Sequence, residues 1–274
     1  MVKKLHRLCT FVPRQQSQIV KYSNKQIDKL ISGIYDGEIT VGDMPESLYY
    51  AIADYLKKSL YEGFGGSLID FDGKPLELLT ELRENIYLFS GAKTYQTVKA
   101  MESMLTEDGE KRSFKDFKDF ARNEYDLFNV TWAQTEYDTA IGQGQNAYLW
   151  TKIQADKDVL PLLQYTAVID ANTSDICAPL NGIVKPVDDP FWDVFMPLNH
   201  YNCRCSVLQL SEGEISKDIK EETKQVAENM NDVFKNNVGK DGFVFPPDHP
   251  YFDVAPEDKK LAKENFGFDI PEKD

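Results

Sequence analysis

Apolar residues recur at helical spacing from Ser23 to about position 158, and the pattern then shifts to alternation. From Ser23 to Tyr35, Ile27, Leu30, Ile31 and Ile34 share one face, with Ser23 or Asn24 placed to cap the helix. From Pro45 to Tyr61, Leu48, Ile52, Tyr55 and Leu56 face inward, and Pro45 suits a first turn. Gly63 to Pro75 reads as a loop, with a hairpin turn placed at Asp72-Gly73. Helices are predicted over Leu76 to Phe89, Ala92 to Leu105 and Ser113 to Thr131, the last continuing through WAQTEYDTAIGQGQNAYLWTKIQ. Gly142 and Gly144 lower helix propensity there, so a kink or a close helix contact is expected. After Val159, Leu162 to Asp170 alternates and reads as a strand, with further strands at Gly182 to Val187 and Cys203 to Leu210. Glu212 to Asn231 returns to a helical pattern.

These elements predict an α+β fold: a mainly helical body with a small β appendage and an extended C-terminal tail. The expected division is an N-terminal arm at 1–22, a helical body at 23–158, a small β domain at 159–211, and a helix with an aromatic tail at 212–274. The tail carries Phe243, Phe245, Tyr251, Phe252, Phe266 and Phe268 among prolines and glycines, with one short helix near Glu257 to Asn265. Its rings must pack either on the body or on a neighbouring protein.

Composition narrows the classes. The formal net charge is -14 in 274 residues, which repels a phosphate backbone and argues against a broad nucleic-acid face. The first 25 residues are basic, so a DNA contact or an acidic partner there stays open, beside the simpler reading of a solvated arm. No apolar run reaches the roughly 18 residues that a membrane span needs, and no signal-peptide pattern is expected. Four cysteines, with Cys9 remote from the other three, do not read as a secreted disulfide framework. They fit synthesis in a reducing cytosol.

The chemistry gathers between 170 and 210. Cys177 is followed by a loop rich in Pro and Asp, then by His200-x-x-Cys203-x-Cys205. On a strand, Cys203 and Cys205 would share a face; His200 precedes them across a short turn, and Cys177 can return through the loop. Three thiolates and one imidazole would satisfy a tetrahedral structural Zn2+ site. Metal binding there could supply folding free energy to a thin core. Two other readings stay open: plain buried thiols with His200 hydrogen-bonded, or a disulfide from Cys177 to Cys203 or Cys205. Arg204 would point away from its cysteine neighbours, toward Asp170, Asp175 or solvent.

Other constellations are weaker. Asp188, Asp189, Asp193 and Glu212 read as turn formers and solvated carboxylates. Glu136 and Asp138 lie on different faces of their helix, so they make no acid–base pair and read as helix surface. His249 sits in a rigid Pro-Pro-Asp-His-Pro turn. Trp132, Trp150 and Trp192 read as core or docking anchors. No phosphate loop, nucleophile elbow or His-Glu-x-x-His helix is present, so no catalytic residue is assigned and an enzyme is not expected.

One order of motifs carries a resemblance: TEYDTAIGQGQ on a helix, a strand ending in Asp, CAPLNGIVKPVDDPFW, then PLNHYNCRC. Over roughly residues 115 to 210 the chain resembles the phage Mu F-like minor head proteins, the phage head morphogenesis family. The resemblance rests mainly on Leu180-Asn181-Gly182 and on His200-x-x-Cys203-Arg204-Cys205. It implies a structural capsid component, made in the host cytoplasm, incorporated in the virion, and associated with the portal or the major capsid protein. The competing classes are a phage-derived enzyme or toxin module and a DNA-associated protein packaged with the genome.

Overall fold

The computed structural model describes residues 20–217 and 219–272; most of the basic arm, Cys9 included, lies outside them. In chain order the elements are α1 (Asn24–Asp36), α2 (Glu46–Phe64), a 3-10 turn (Leu68–Asp70), α3 (Gly73–Ser103), a hairpin of β1 (Thr106–Glu107) and β2 (Glu110–Lys111), and α4 (Phe114–Asp126). A π-turn (Leu127–Thr131) leads into α5 (Trp132–Asp156). Then come β3 (Leu162–Thr166), β4 (Val184–Pro186), α6 (Phe191–Phe195), β5 (Ser206–Leu210), α7 (Lys220–Asn229), α8 (Val238–Asp241) and α9 (Lys259–Lys263). The fold is mainly helical α+β, as the hydrophobic pattern predicts.

Helix signals act as expected at α1. Ser23 accepts from the Gln26 N–H, and the Gln26 side chain accepts from the Ser23 N–H, a reciprocal capping box. Gly37, at φ 76°, ends the helix in the left-handed region. Three expectations change. Asp72-Gly73 makes no hairpin and instead opens α3, whereas Asp108-Gly109, at φ 51° and 85°, turns the hairpin of β1 and β2. The two helices expected on either side of Ser90-Gly91 are one, α3. The third strand begins at Ser206, so Cys203 and Cys205 precede it.

Two compact units are found. One comprises, among the described residues, 20–59, 83–137 and 247–272. In it α1 packs on α4, and the rings of Phe114 and Phe117 lie 5.1 and 5.5 Å from Tyr35. The tail segment from Pro247 packs on this unit's own helices. Phe268 stacks on Tyr49 at 4.2 Å, Phe266 stacks on Tyr95 at 5.0 Å, and Tyr251 meets Phe89 at 5.2 Å. These rings therefore sit in the core of their own chain.

The other unit comprises, among the described residues, Leu60–Leu82 and Asp138–Pro246. Its three-stranded antiparallel sheet has the order β4-β3-β5, with Leu163 paired to Lys185 and Gln209. Leu163 and Tyr165 of β3 point into a core with Trp150, Ile153, Leu180 and Trp192. Of the kink or close contact expected at its glycines, the close contact is found. A Cβ on Gly144 would lie 2.7 Å from the Leu60 carbonyl oxygen, and one on Gly63 would lie 2.1 Å from that of Ile141. The backbones of α2 and α5 thus touch where side chains are missing.

Candidate metal centre

β3 delivers Tyr165 to the base of the cluster, and the chain then loops out and back. Leu180-Asn181-Gly182 fixes the return. The Gly182 N–H donates to the Tyr165 carbonyl at 2.9 Å, and the Tyr165 N–H donates to the Ile183 carbonyl at 2.8 Å. The Asn181 side chain accepts from the Ala167 N–H at 2.9 Å, Leu180 is buried, and Gly182 takes φ 84°. Within the loop, the Cys177 N–H donates to the carbonyl and hydroxyl of Ser174, both at 3.1 Å. Cys177 is thereby turned inward.

The second arm is a tight turn. The Cys203 N–H donates to the His200 carbonyl at 3.2 Å, with Asn202 at φ 59° in the left-handed region, which asparagine tolerates. Arg204 ties the two arms: its guanidinium donates to both oxygens of Asp170, at 2.6 and 2.7 Å. Of the partners expected for Arg204, Asp170 is the one found. That pair, with the Asn172 N–H, holds the Asp170 carboxyl down at about 2.

The sulfurs of Cys177, Cys203 and Cys205 all lie within 4.8 Å of one another, close enough to hold a metal ion. Cys177 and Cys203 are 3.7 Å apart as free thiols. Two thiolates at Zn–S distances of about 2.3 Å and a tetrahedral angle would be separated by about 3.8 Å. His200 is held by a contact from its Nδ1 to the Tyr201 carbonyl at 2.8 Å, and its ring also meets Cys177. That contact with Cys177 raises the His200 pKa, and the group of ligand atoms found within 4.8 Å of one another comprises the three sulfurs without the imidazole. The Tyr165 hydroxyl lies 3.4 Å from the Cys177 sulfur and 2.7 Å from Asn199 Oδ1.

Ionisation in the cluster is shared unevenly. Hydrogen bonds from Cys203 and Cys205 hold the Cys177 thiol far below its ordinary value. The same contact pushes Cys203 up to about 11 and Cys205 further up. One thiolate therefore forms readily, and its charge opposes the next two. A bound dication reverses that opposition, because it favours deprotonated sulfur at every ligand.

The other sequence candidates are dispersed. Asp188 pairs with Lys157, Asp189 accepts from the Phe191 N–H, and Asp193 pairs with Lys240. Trp150 and Trp192 are core residues, and Trp192 Nε1 donates to the Pro186 carbonyl at 2.9 Å. Glu136 corrects its expected place on the helix surface. It is buried, paired with the fully buried Lys93, and accepts from the Tyr251 hydroxyl at 3.0 Å. His249 is buried beside it; its Nδ1 accepts from the Tyr251 N–H at 3.2 Å, and burial followed by the charge of Lys93 lowers its pKa to about 4. The signal for this second cluster was the position of Lys93, four residues from both Phe89 and Thr97 on the buried face of α3.

Residues 88–208 match the family described as Phage Mu protein F like protein. The matched stretch includes all of α5, β3 and β4, the first three residues of β5 and the cysteine cluster. Over 73 residues the chain is 40% identical to "Putative capsid assembly protein F" of Escherichia phage Mu, covering 27% of this chain and 16% of that protein. Over 123 residues it is 30% identical to "Mu-like prophage FluMu F protein" of Haemophilus influenzae, covering 45% of this chain and 29% of that protein. The chain thus aligns with less than a third of the length of either relative. No solved structure matches it.

Proposed function

We propose that the chain is a structural component of phage head morphogenesis, carried in the virion and docking on the portal or the major capsid protein. The observation that supports this most is the match over residues 88–208, which runs through the cysteine cluster. The name of the phage Mu relative points the same way. The absence of a catalytic motif from the sequence fits a role performed by surfaces. The test is to tag the chain in its replicating phage and purify heads at successive assembly stages. Presence in heads, with cross-links to portal or major capsid subunits, supports the reading. Absence from heads at every stage overturns it.

Within this role, Cys177, His200, Cys203 and Cys205 hold a structural Zn2+. Support comes from the three sulfurs lying within 4.8 Å of one another, with Cys177 and Cys203 at 3.7 Å, and from the contact of the His200 ring with Cys177. With His200 as the fourth ligand the site would be closed to substrate, as in structural rather than catalytic zinc sites. Protein purified under reducing, chelator-free conditions should contain about one metal equivalent per chain. No metal together with three free thiols in folded protein would reduce the cluster to buried cysteines. A Cys177–Cys203 or Cys177–Cys205 disulfide in virion-derived protein would replace the metal reading.

A further inference from the structure

We propose that Lys93 and Glu136 form an intramolecular isopeptide bond that ties α3 covalently to α5. Four features of one unit carry this inference. The Lys93 side chain is fully buried and that of Glu136 nearly so, and Lys93 Nζ donates to Glu136 Oε2. The other carboxylate oxygen, Oε1, accepts from the Tyr251 hydroxyl at 3.0 Å. The walls are aromatic: Lys93 Nζ lies 5.9 Å from the centre of the Tyr251 ring, which meets the rings of Phe89, Phe128 and Trp132. His249, whose ring meets that of Tyr251, adds no negative charge to hold the ammonium.

In water an ammonium and a carboxylate do not condense, because both ions are well solvated. Burial removes that solvation, and its cost for two ions is comparable with their mutual attraction. Burial likewise lowers the Lys93 pKa, favouring the neutral, nucleophilic amine. Holding amine and carboxyl together supplies an effective concentration on the order of 10⁵ M or more when well oriented.

The atoms balance without a co-reactant. One proton passes from Lys93 Nζ to Glu136 Oε2, leaving an amine and a carboxylic acid. The nitrogen lone pair attacks Cδ, and the carbonyl pair moves onto Oε1, where the Tyr251 hydroxyl donates. A second proton passes from nitrogen to the Oε2 hydroxyl, the Cδ–Oε2 bond breaks, and water leaves. The nitrogen keeps one proton as the amide N–H.

The test is the intact mass of the full chain, measured in denaturant, followed by digestion. The expected mass is one water below that of the sequence, with a branched peptide joining Lys93 and Glu136. Asp-Gly pairs such as Asp108-Gly109 can also lose water, so the branched peptide is required. Full sequence mass in the folded protein overturns the proposal, as does a deficit mapped to an Asp-Gly pair. Lys93→Met should restore the full mass for that variant's sequence. Tyr251→Phe removes the oxyanion donor but keeps the ring, and should slow the appearance of cross-linked chains in freshly made protein. Because the main measurement uses the unaltered chain, it stands even where a variant fails to fold.

Discussion

The cysteine cluster and the Lys93–Glu136 cluster both place polar groups away from bulk water, and they are assembled in opposite ways. The first is built from a loop and a tight turn, with His200, Cys203 and Cys205 neighbours in sequence and Asp170–Arg204 bracing the two arms. The second joins residues 43 and 115 positions apart, on α3, α5 and the tail. The first gathers three thiols whose negative charges oppose one another when they ionise. The second holds its amine and its carboxyl against one another, each the partner of the other. A local motif thus announces one site, while the other exists only once helices and tail have packed.

The sharpest way to break this comparison is to remove the proposed cation. Chelation under reducing conditions, or Cys203→Ser, should destabilise the unit containing the three-stranded sheet by several kcal/mol, since structural zinc supplies folding free energy directly. Cys9→Ser should leave the melting temperature unchanged. Equal effects of the two substitutions on thermal unfolding would remove the metal from the account.

Next in size is the loss of a buried partner. Measured against chains not yet cross-linked, Lys93→Met leaves Glu136 without its cation and should cost about 3–5 kcal/mol in chemical denaturation. Changing both, Lys93→Met with Glu136→Leu, should recover much of that loss. If the double variant is no better than the single one, the cost lies in packing and not in the orphaned carboxylate.

The same contrast explains what the sequence makes legible. Ile27, Leu30, Ile31 and Ile34 are buried together because a helix face is written at fixed spacing. Ser23, Gln26 and Gly37 end their helix by contacts a few residues long. The cysteine motif is legible for the same reason. Gly91 shows where local reading fails: glycine suggests a break, yet α3 runs through it. A Cβ there would lie 2.6 Å from Asn265 Oδ1, so the glycine makes room for a segment more than 170 residues later. Glu136 reads as surface because its helix offers no local reason to bury a carboxylate. Its reasons, Lys93 and Tyr251, lie on other elements. Asp-Gly is equally ambiguous: at 72–73 it opens a helix and at 108–109 it turns a hairpin, and the flanking segments decide.

Acid should affect the second cluster through His249. Its folded pKa is about 4, against an ordinary 6.5. Between those values the unfolded chain binds the proton and the folded one does not, so stability falls as pH drops from about 6.5 to about 4 and then levels. The full difference amounts to about 3 kcal/mol. His249→Asn, which keeps a side-chain acceptor, should flatten this slope in denaturation series across the window. An unchanged slope would assign the acid sensitivity to other groups.

The smallest effect is expected at Arg204. Its pair with Asp170 is bidentate but partly exposed, and solvent and salt screen such pairs strongly. Arg204→Ala should therefore shift the melting temperature less than Cys203→Ser or Lys93→Met. The pH dependence has the opposite sense to a histidine with a raised pKa. Asp170 is held down at about 2, so the pair's contribution is present above about 4 and is lost as pH falls toward 2. Native and Arg204→Ala proteins should accordingly keep a constant small offset from pH 7 to 5 and converge below 4. Because Arg204 braces the two arms that carry the cysteines, its loss should weaken metal retention more visibly than it weakens the fold. Competition with a chromophoric chelator reads that difference. Unchanged metal retention with an unchanged melting temperature would show that the turn and loop hold the cysteines without the brace.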